Sequence, residues 1–101
     1  MRTLALIATA LVATGSSPTV VAKVKLKQFA QPCAAAGGAG AVWVSEFSAP
    51  YLLKINPKTN KVVKKIGIGS GACGLAYGAG SLWIEDTNSN TISRVSVAAM
   101  G

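Results

Sequence analysis

The chain contains no histidine, and its 101 residues include only three acidic side chains, Glu46, Glu85 and Asp86. Without an imidazole it lacks the side chain that most often exchanges protons near neutral pH, which argues against acid–base catalysis. Three carboxylates without the spacing of a calcium-binding loop give poor support for a metal site. The composition therefore predicts a protein without a metal or cofactor and disfavours an enzyme.

The sequence also lacks an apolar run long enough to span a membrane. Residues 4–12 form an apolar run of nine residues, whereas a spanning helix needs about 20. A positively charged start precedes this run and small residues follow it, which is typical of a secretory signal peptide. We expect removal of residues 1–22 near Ala22, with cleavage at residues 13–15 as an alternative, and export to the periplasm or cell exterior without a stable membrane anchor. The competing interpretation, a buried helix or an anchor, is disfavoured by the break at residues 15–18.

Basic residues outnumber acidic ones, giving a net charge of +7, or +6 (nine basic against three acidic) once residues 1–22 are removed. Such a charge attracts anionic polymers. No basic run is interleaved with stacking aromatic side chains, so solvated strand faces are the simpler explanation and no nucleic-acid partner is expected. The alternation of Lys23, Lys25 and Lys27 predicts an outer strand over residues 23–29, whose charges discourage edge-to-edge pairing.

A shift of 40 residues aligns the chain with itself. Twelve of the 24 positions from Cys33 to Asn56 then carry identical or conservative pairs without a gap, which predicts two copies of one unit. The identical pairs are Cys33 with Cys73, Ala36 with Ala76, residues 38–40 with 78–80, and Trp43 with Trp83. The conservative pairs are Val42 with Leu82, Val44 with Ile84, Glu46 with Asp86, Leu52 with Ile92, Lys54 with Arg94, and Ile55 with Val95.

Each copy is predicted to consist of short β-strands separated by turns. Glycines mark tight turns at residues 38–40 and 78–80, and residues 56–60 carry the asparagine and proline typical of turns. The β-branched residues in 61–69 predict a fourth strand in the first copy, whereas the second copy stops after its third strand at Val97. No helical period occurs after residue 22.

Strand faces narrow the architecture. Val42 and Val44 alternate with Trp43, so both faces of this strand are apolar, and the second copy repeats the arrangement. A strand that is apolar on both faces must be covered on both, and a period of about 40 residues with four short strands is typical of β-propellers. We expect an all-β chain of propeller blades with four antiparallel strands each, incomplete at about two blades. This segment covers residues 23–101, with blade repeats at about 33–69 and 73–97; a duplicated β-sandwich is the alternative.

Several segments resemble the repeat of a known family. Residues 73–84 (CGLAYGAGSLWI) with 91–95 (TISRV), and residues 53–63 (LKINPKTNKVV), resemble blades of the bacterial YVTN and streptogramin-lyase-like (virginiamycin B lyase-like) β-propellers. Residues 43–46 (WVSE) are similar to the W-F-T-E motif of the lyase blades. The resemblance covers about residues 28–97 and is specific for the fold. The family's enzymatic member opens a cyclic depsipeptide by elimination, which implies a histidine, a glutamate and a divalent metal; without histidine, this activity is not expected here.

The repeat-equivalent acids and tryptophans each have two interpretations. Glu46 aligns with the recurring glutamate of the resembled family, and Asp86 is its equivalent in the second copy. An acid at the same place in every blade is expected to satisfy strand-end N–H groups rather than to catalyse. Trp43 and Trp83 are expected to pack in the core between blades, with stacking on a sugar or another planar ligand as the alternative.

Cys33 and Cys73 are the only cysteines, and both lie beyond the predicted signal peptide. An exported chain meets an oxidising environment, so a disulfide between the copies is expected. The bond requires Cα atoms closer than about 7 Å, which equivalent positions in adjacent blades satisfy only near the propeller axis. Metal binding by two lone thiols is disfavoured.

Two function classes follow from two blades, because propellers typically need at least four to close. The first is a fragment of a longer exported propeller, a non-catalytic recognition scaffold for an unknown ligand, prone to self-association through its open blade edges. The second is a two-blade protomer that assembles into a trimeric six-blade ring and binds glycans or other small ligands. An active virginiamycin B lyase-like enzyme is the least favoured interpretation.

Overall fold

The computed structural model describes residues 17–97, and within them the chain forms seven β-strands and no α-helix. The strands build one four-stranded sheet, in the order β1-β2-β3-β4, and one three-stranded sheet, in the order β5-β6-β7. Every strand pair in both sheets is antiparallel. The strands are β1 Pro32–Gly38, β2 Ala41–Glu46, β3 Tyr51–Asn56, β4 Lys61–Gly67, β5 Ala72–Gly78, β6 Ser81–Asp86 and β7 Thr91–Ser96.

The first hairpin of each sheet closes through a two-residue turn. Ala39 and Gly40 have φ angles of 52° and 72°, and Ala79 and Gly80 have φ angles of 51° and 72°. Two successive positive φ angles define the turn whose twist matches that of antiparallel strands, and glycine at the second position removes the steric cost there. The glycine-rich segments of the two copies therefore build the same hairpin.

A longer turn sends β4 back along β3. The Asn56 side chain accepts a hydrogen bond from the backbone N–H of Lys58 at 2.8 Å, and the N–H of Asn60 donates to the Asn56 carbonyl, also at 2.8 Å. Asn60 has a φ of 59°, a left-handed conformation that asparagine tolerates better than most residues. The turn predicted at residues 56–60 is present, and it places the lysine-rich strand β4 at the sheet edge.

The hydrophobic core lies between the two sheets. Trp43 and Leu52 of the first sheet pack against Leu82 and Ile84 of the second, and all four side chains are almost completely buried. Alternation along the strands explains this, because β2 presents every second residue to the second sheet. Two small residues complete the cluster, and several partly buried apolar side chains surround it: Ala41, Ala72, Ile66, Ile68, Leu75, Val95 and Val97.

The sheets are closest at the strands that begin each of them. The backbones approach each other along β1, β2 and β5, and no comparable approach joins β4 to the second sheet within residues 17–97. A disulfide between Cys33 and Cys73 links β1 to β5, with a Cα–Cα distance of 5.0 Å. The two sheets are therefore pinned together at one edge and diverge away from it.

The outer strand predicted over residues 23–29 is not formed, so that prediction is wrong. This segment has no strand, and it ends in a turn in which the N–H of Ala30 donates to the carbonyl of Lys27 at 3.1 Å. Phe29 has a φ of 64°, in the left-handed region, whereas the residues of a β-strand have negative φ angles. Alternating lysines favour an exposed strand only where a neighbouring strand supplies backbone partners.

The signal peptide predicted over residues 1–22 falls mostly outside the described residues, which begin at residue 17. Among the described residues, no helix is long and apolar enough to cross a membrane.

Candidate functional site: two open sheet faces

Trp43 defines the covered interface between the sheets. Its side chain is 1% exposed, and its indole Nε1 donates to the carbonyl of Gly38 at 3.0 Å. The ammonium of Lys54 lies 5.6 Å from the ring centroid, a cation–π distance. Ser45, also fully buried, donates through Oγ to the carbonyl of Cys73 at 2.5 Å. This hydrogen bond crosses from one sheet to the other and fixes their relative position.

Trp83 has the same local geometry as Trp43, but no second sheet lies over it. Its Nε1 donates to the carbonyl of Gly78 at 3.0 Å, and the Arg94 guanidinium lies 5.1 Å from its ring centroid. However, Trp83 is 37% exposed and its neighbour Ile92 is 67% exposed. Within a single chain Trp83 therefore does not pack in the core as Trp43 does, because no described residue covers this side of the second sheet, and packing between blades and stacking on a ligand both stay open for it.

This uncovered surface is called the Trp83 face below. Glu85 and Ile92 are cross-strand partners on it, as are Trp83 and Arg94. A shallow groove of about 380 Å³ runs along the face between β5 and these side chains. The Trp83 face consists of Ala76, Trp83, Glu85, Ile92 and Arg94.

The first sheet carries a second apolar surface on the side away from Trp43, and it is open only in the sense that no sheet lies over it. Val62 is 38% exposed there, Val42 and Val44 are partly buried, and Leu53 and Ile55 are buried at 3% and 8%. Val42 pairs with Ile55 and Val44 with Leu53 in the register of β2 and β3, and Ile55 pairs in turn with Val62 of β4. These five residues, Val42, Val44, Leu53, Ile55 and Val62, are called the Val42 face. Alternation places them opposite Trp43, so they do not contribute to the core between the sheets.

A cavity of about 390 Å³ lies over part of the Val42 face. Leu53 and Val62 form its apolar floor, and Tyr51 lies at the rim with the ammonium of Lys65 4.5 Å from its ring centroid. The opposite wall comes from the non-strand segment 25–30, including Phe29, which is 80% exposed. The cavity is thus apolar at its base and basic at its rim.

The repeat-equivalent acids Glu46 and Asp86 are both buried, at 5% and 7% exposure. Asp86 accepts hydrogen bonds through Oδ2 from the Ser93 hydroxyl at 2.5 Å and the Thr91 hydroxyl at 3.3 Å. Its other oxygen, Oδ1, is buried and has no hydrogen-bond partner in the described part of the chain. Glu46 lines the cavity over the Val42 face. Among residues 17–97, no cluster of three or more histidine, cysteine or acidic residues is arranged to hold a metal ion.

Two contacts of the covered interface have no counterpart on the Trp83 face, and the sequence did not reveal them. A Cβ added at Gly38 would overlap the Tyr77 ring, whereas one added at Gly78 would meet nothing within 4 Å. The inter-sheet hydrogen bond of Ser45 has no equivalent either, because position 85 is a glutamate. Both contacts depend on how the sheets stack. In the sequence, the only sign of them is a small residue at Gly38 and a polar residue at Ser45, each within an apolar segment.

No family model matches this chain, and no curated protein or solved structure is significantly similar to it.

Proposed function

We propose that this chain is a pair of β-propeller blades from an exported, non-catalytic protein that uses the blades as a binding scaffold. The observation that carries the proposal is the stacking of two antiparallel sheets, 40 residues apart in sequence, which are pinned at their first strands and diverge outward. Blades of a propeller are arranged in this way around a central channel. On this proposal, the four-stranded sheet is one blade and the three described strands of the second sheet belong to the next.

The assignment to the YVTN and streptogramin-lyase-like class rests on the sequence resemblance, and the matched local geometry of the two tryptophans supports it. Each indole donates to a glycine carbonyl five residues earlier, and each ring lies under a basic side chain. A motif that builds the same local structure in each unit is expected to serve packing in every blade. This explains why the motif carries no information about the ligand.

A non-catalytic role is supported by what the acids do. The chain has no histidine to act as a general acid or base. The carboxylate of Asp86 accepts hydrogen bonds from hydroxyl groups of the neighbouring strand, which is a structural use of this side chain. Glu46 and Asp86 stand at equivalent strand ends, one in each sheet, which is expected of acids that serve the structure of each unit.

Export is supported by the disulfide. Cys33 and Cys73 are bonded, and structural disulfides persist in oxidising compartments. Together with the predicted signal peptide at residues 1–22, this favours the periplasm or the cell exterior.

The proposal is tested by incubating the oxidised full chain with a streptogramin-type cyclic depsipeptide and Mg²⁺, and separately by applying it to an array of neutral and acidic oligosaccharides. The control is the reduced and alkylated chain, shown to be unfolded by circular dichroism, which has the same charged side chains. We expect an unchanged depsipeptide by mass spectrometry, and retention of a defined glycan class by the folded chain alone. Ring opening would disprove the non-catalytic role, and equal retention of both forms would show charge attraction instead of a binding scaffold.

A further inference from the structure

The covered interface has two halves, and each open face of the molecule resembles one of them. In the covered interface, Trp43 and Leu52 of the first sheet meet Leu82 and Ile84 of the second. The side chains are 0–1% exposed there, so the contact excludes water. This interface within the chain serves as a template for what the open faces can bind.

The Trp83 face resembles the Trp43 half of the template. Trp83 holds the same indole-to-glycine hydrogen bond as Trp43, and Ile92 occupies the position equivalent to Leu52. Arg94 lies over the Trp83 ring as Lys54 lies over the Trp43 ring. A group of large apolar side chains left 37–67% exposed is typical of an interaction surface.

The Val42 face resembles the other half. Val42 and Val44 occupy the positions equivalent to Leu82 and Ile84, the residues that cover Trp43. Leu53 and Ile55 continue this surface onto β3 but are already buried within one chain, so Val42, Val44 and Val62 are the residues left for a partner. The two open faces of one molecule thus carry the two complementary patterns of an interface that the chain already forms.

Charge favours contact between the same two faces. The Trp83 face carries the exposed carboxylate of Glu85 beside the cation of Arg94, while three lysines and one buried acid line the cavity over the Val42 face: Lys25, Lys27, Lys65 and Glu46. The excess of basic side chains around the Val42 face lets Glu85 meet an opposite charge, which helps to orient the partners.

We propose that the Trp83 face of one molecule binds the Val42 face of a second copy, which gives a head-to-tail assembly. This inference rests on the proposed function, because it assumes that the open faces stack as blades do. The contact joins two different surfaces, so it is heterologous, and repetition closes a ring or extends a filament. Both cysteines are already bonded within the chain, so the copies associate without a covalent link.

Two features make the contact between copies differ from the template. Position 37 is a glycine where the second copy of the repeat has Tyr77, so the ring that packs over Gly38 has no counterpart at the new interface. Segment 25–30 walls the cavity over the Val42 face and brings Phe29, 80% exposed, to its edge. In the assembly this segment contacts the incoming Trp83 face and supplies aromatic surface that Gly37 lacks.

The test uses one variant to block each face, in the oxidised full chain. Trp83→Glu places a charge on the Trp83 face, and Val62→Glu places one on the Val42 face. The matched control is Val63→Glu, because Val63 is the next residue of β4 and is 54% exposed on the opposite side of the strand. Circular dichroism and a cooperative denaturant transition check that each variant folds. If Trp83→Glu does not fold, Ile92→Glu is used in its place. If Val62→Glu does not fold, Lys65→Glu is used in its place.

Light scattering then gives the mass of each protein alone and of the two blocked variants mixed in equal amounts. We expect several chain masses for the wild type and for Val63→Glu, one chain mass for each blocked variant alone, and two for their mixture. The mixture pairs the intact Val42 face of Trp83→Glu with the intact Trp83 face of Val62→Glu and cannot extend further.

Three results would overturn the inference: a folded wild type of one chain mass, blocked variants that keep the wild-type mass, or folded blocked variants that stay single when mixed. If the proteins are folded, each of these results rules out the head-to-tail contact. The glycan and depsipeptide tests of the proposed function are independent of it.

Discussion

Trp43 and Trp83 have the same local contacts and different surroundings. Both indoles donate to a glycine carbonyl at 3.0 Å and both lie beneath a cation. Trp43 is buried under the second sheet, whereas Trp83 has no sheet above it and stays 37% exposed. The stabilisation that each ring supplies within one molecule depends on this cover.

Replacing the two tryptophans separately measures that difference. Trp43→Ala is expected to lower the free energy of unfolding by about 3–5 kcal/mol, because it leaves a cavity between the sheets. Trp83→Ala is expected to cost only about 1 kcal/mol, since its ring is not enclosed. Both are measured by urea denaturation in the Val62→Glu background, so that association does not contribute. Equal losses would show that Trp83 is enclosed within the single chain.

Gly38 and Gly78 form a second matched pair. Gly38→Ala is expected to destabilise the chain by about 1–3 kcal/mol, because the new methyl group overlaps the Tyr77 ring. Gly78→Ala is expected to be neutral, or to stabilise the chain by about 0.5 kcal/mol, because the site is open and alanine lowers the entropy of the unfolded chain. Denaturant midpoints distinguish the two, and a tolerated Gly38→Ala would mean that Tyr77 does not hold the sheets together.

At the scale of elements, the disulfide fixes the stacking of the sheets. It joins residues 40 apart in sequence at the edge where β1 meets β5. In the chain-entropy model, opening a loop of this length costs about 4 kcal/mol of stability. The Cys33→Ser and Cys73→Ser double variant is expected to lose about that amount in urea denaturation, and the reduced wild type should match it. A double variant as stable as the oxidised wild type would mean that side-chain packing alone sets the sheet arrangement.

The elements that the sequence predicts well are those with local causes. The turns at residues 39–40 and 79–80 follow from a glycine at the second turn position, where φ is positive. The turn at residues 57–60 follows from the Asn56 side chain, which accepts a backbone hydrogen bond. The alternation along β2 and β6 predicts which side chains share a face of each strand, although it does not say which face is covered, because both are apolar. These features depend on neighbours within a few residues, so one sequence is enough to find them.

The features that the sequence does not predict depend on other elements. Residues 23–29 have the alternation of an edge strand, but a strand also needs a partner, and the structure offers none to this segment. The exposure of Trp83 depends on whether a further sheet covers it, which residues 81–86 cannot encode. The hydrogen bond from Ser45 to Cys73 depends on how two sheets stack. Burial and contacts between sheets therefore had to come from the structure.

At the scale of the whole molecule, no sheet covers the Trp83 face or the Val42 face within the described residues. Each face matches one half of the interface around Trp43, so the outer surfaces of the two sheets carry both patterns of that interface. A chain of this size buries a small fraction of its surface alone, and association with further copies reduces the exposed apolar area. A closed ring of six sheets requires three chains.

Binding between the Trp83 face of one copy and the Val42 face of another sets the mass of the oxidised full chain in solution. This mass is measured by size exclusion with light scattering across a range of concentrations, alongside far-UV circular dichroism. We expect a compact, β-rich particle of several chains, with three chains for a ring of six sheets. A single-chain mass with a folded β spectrum at every concentration would contradict it, and so would a polydisperse aggregate without a cooperative unfolding transition.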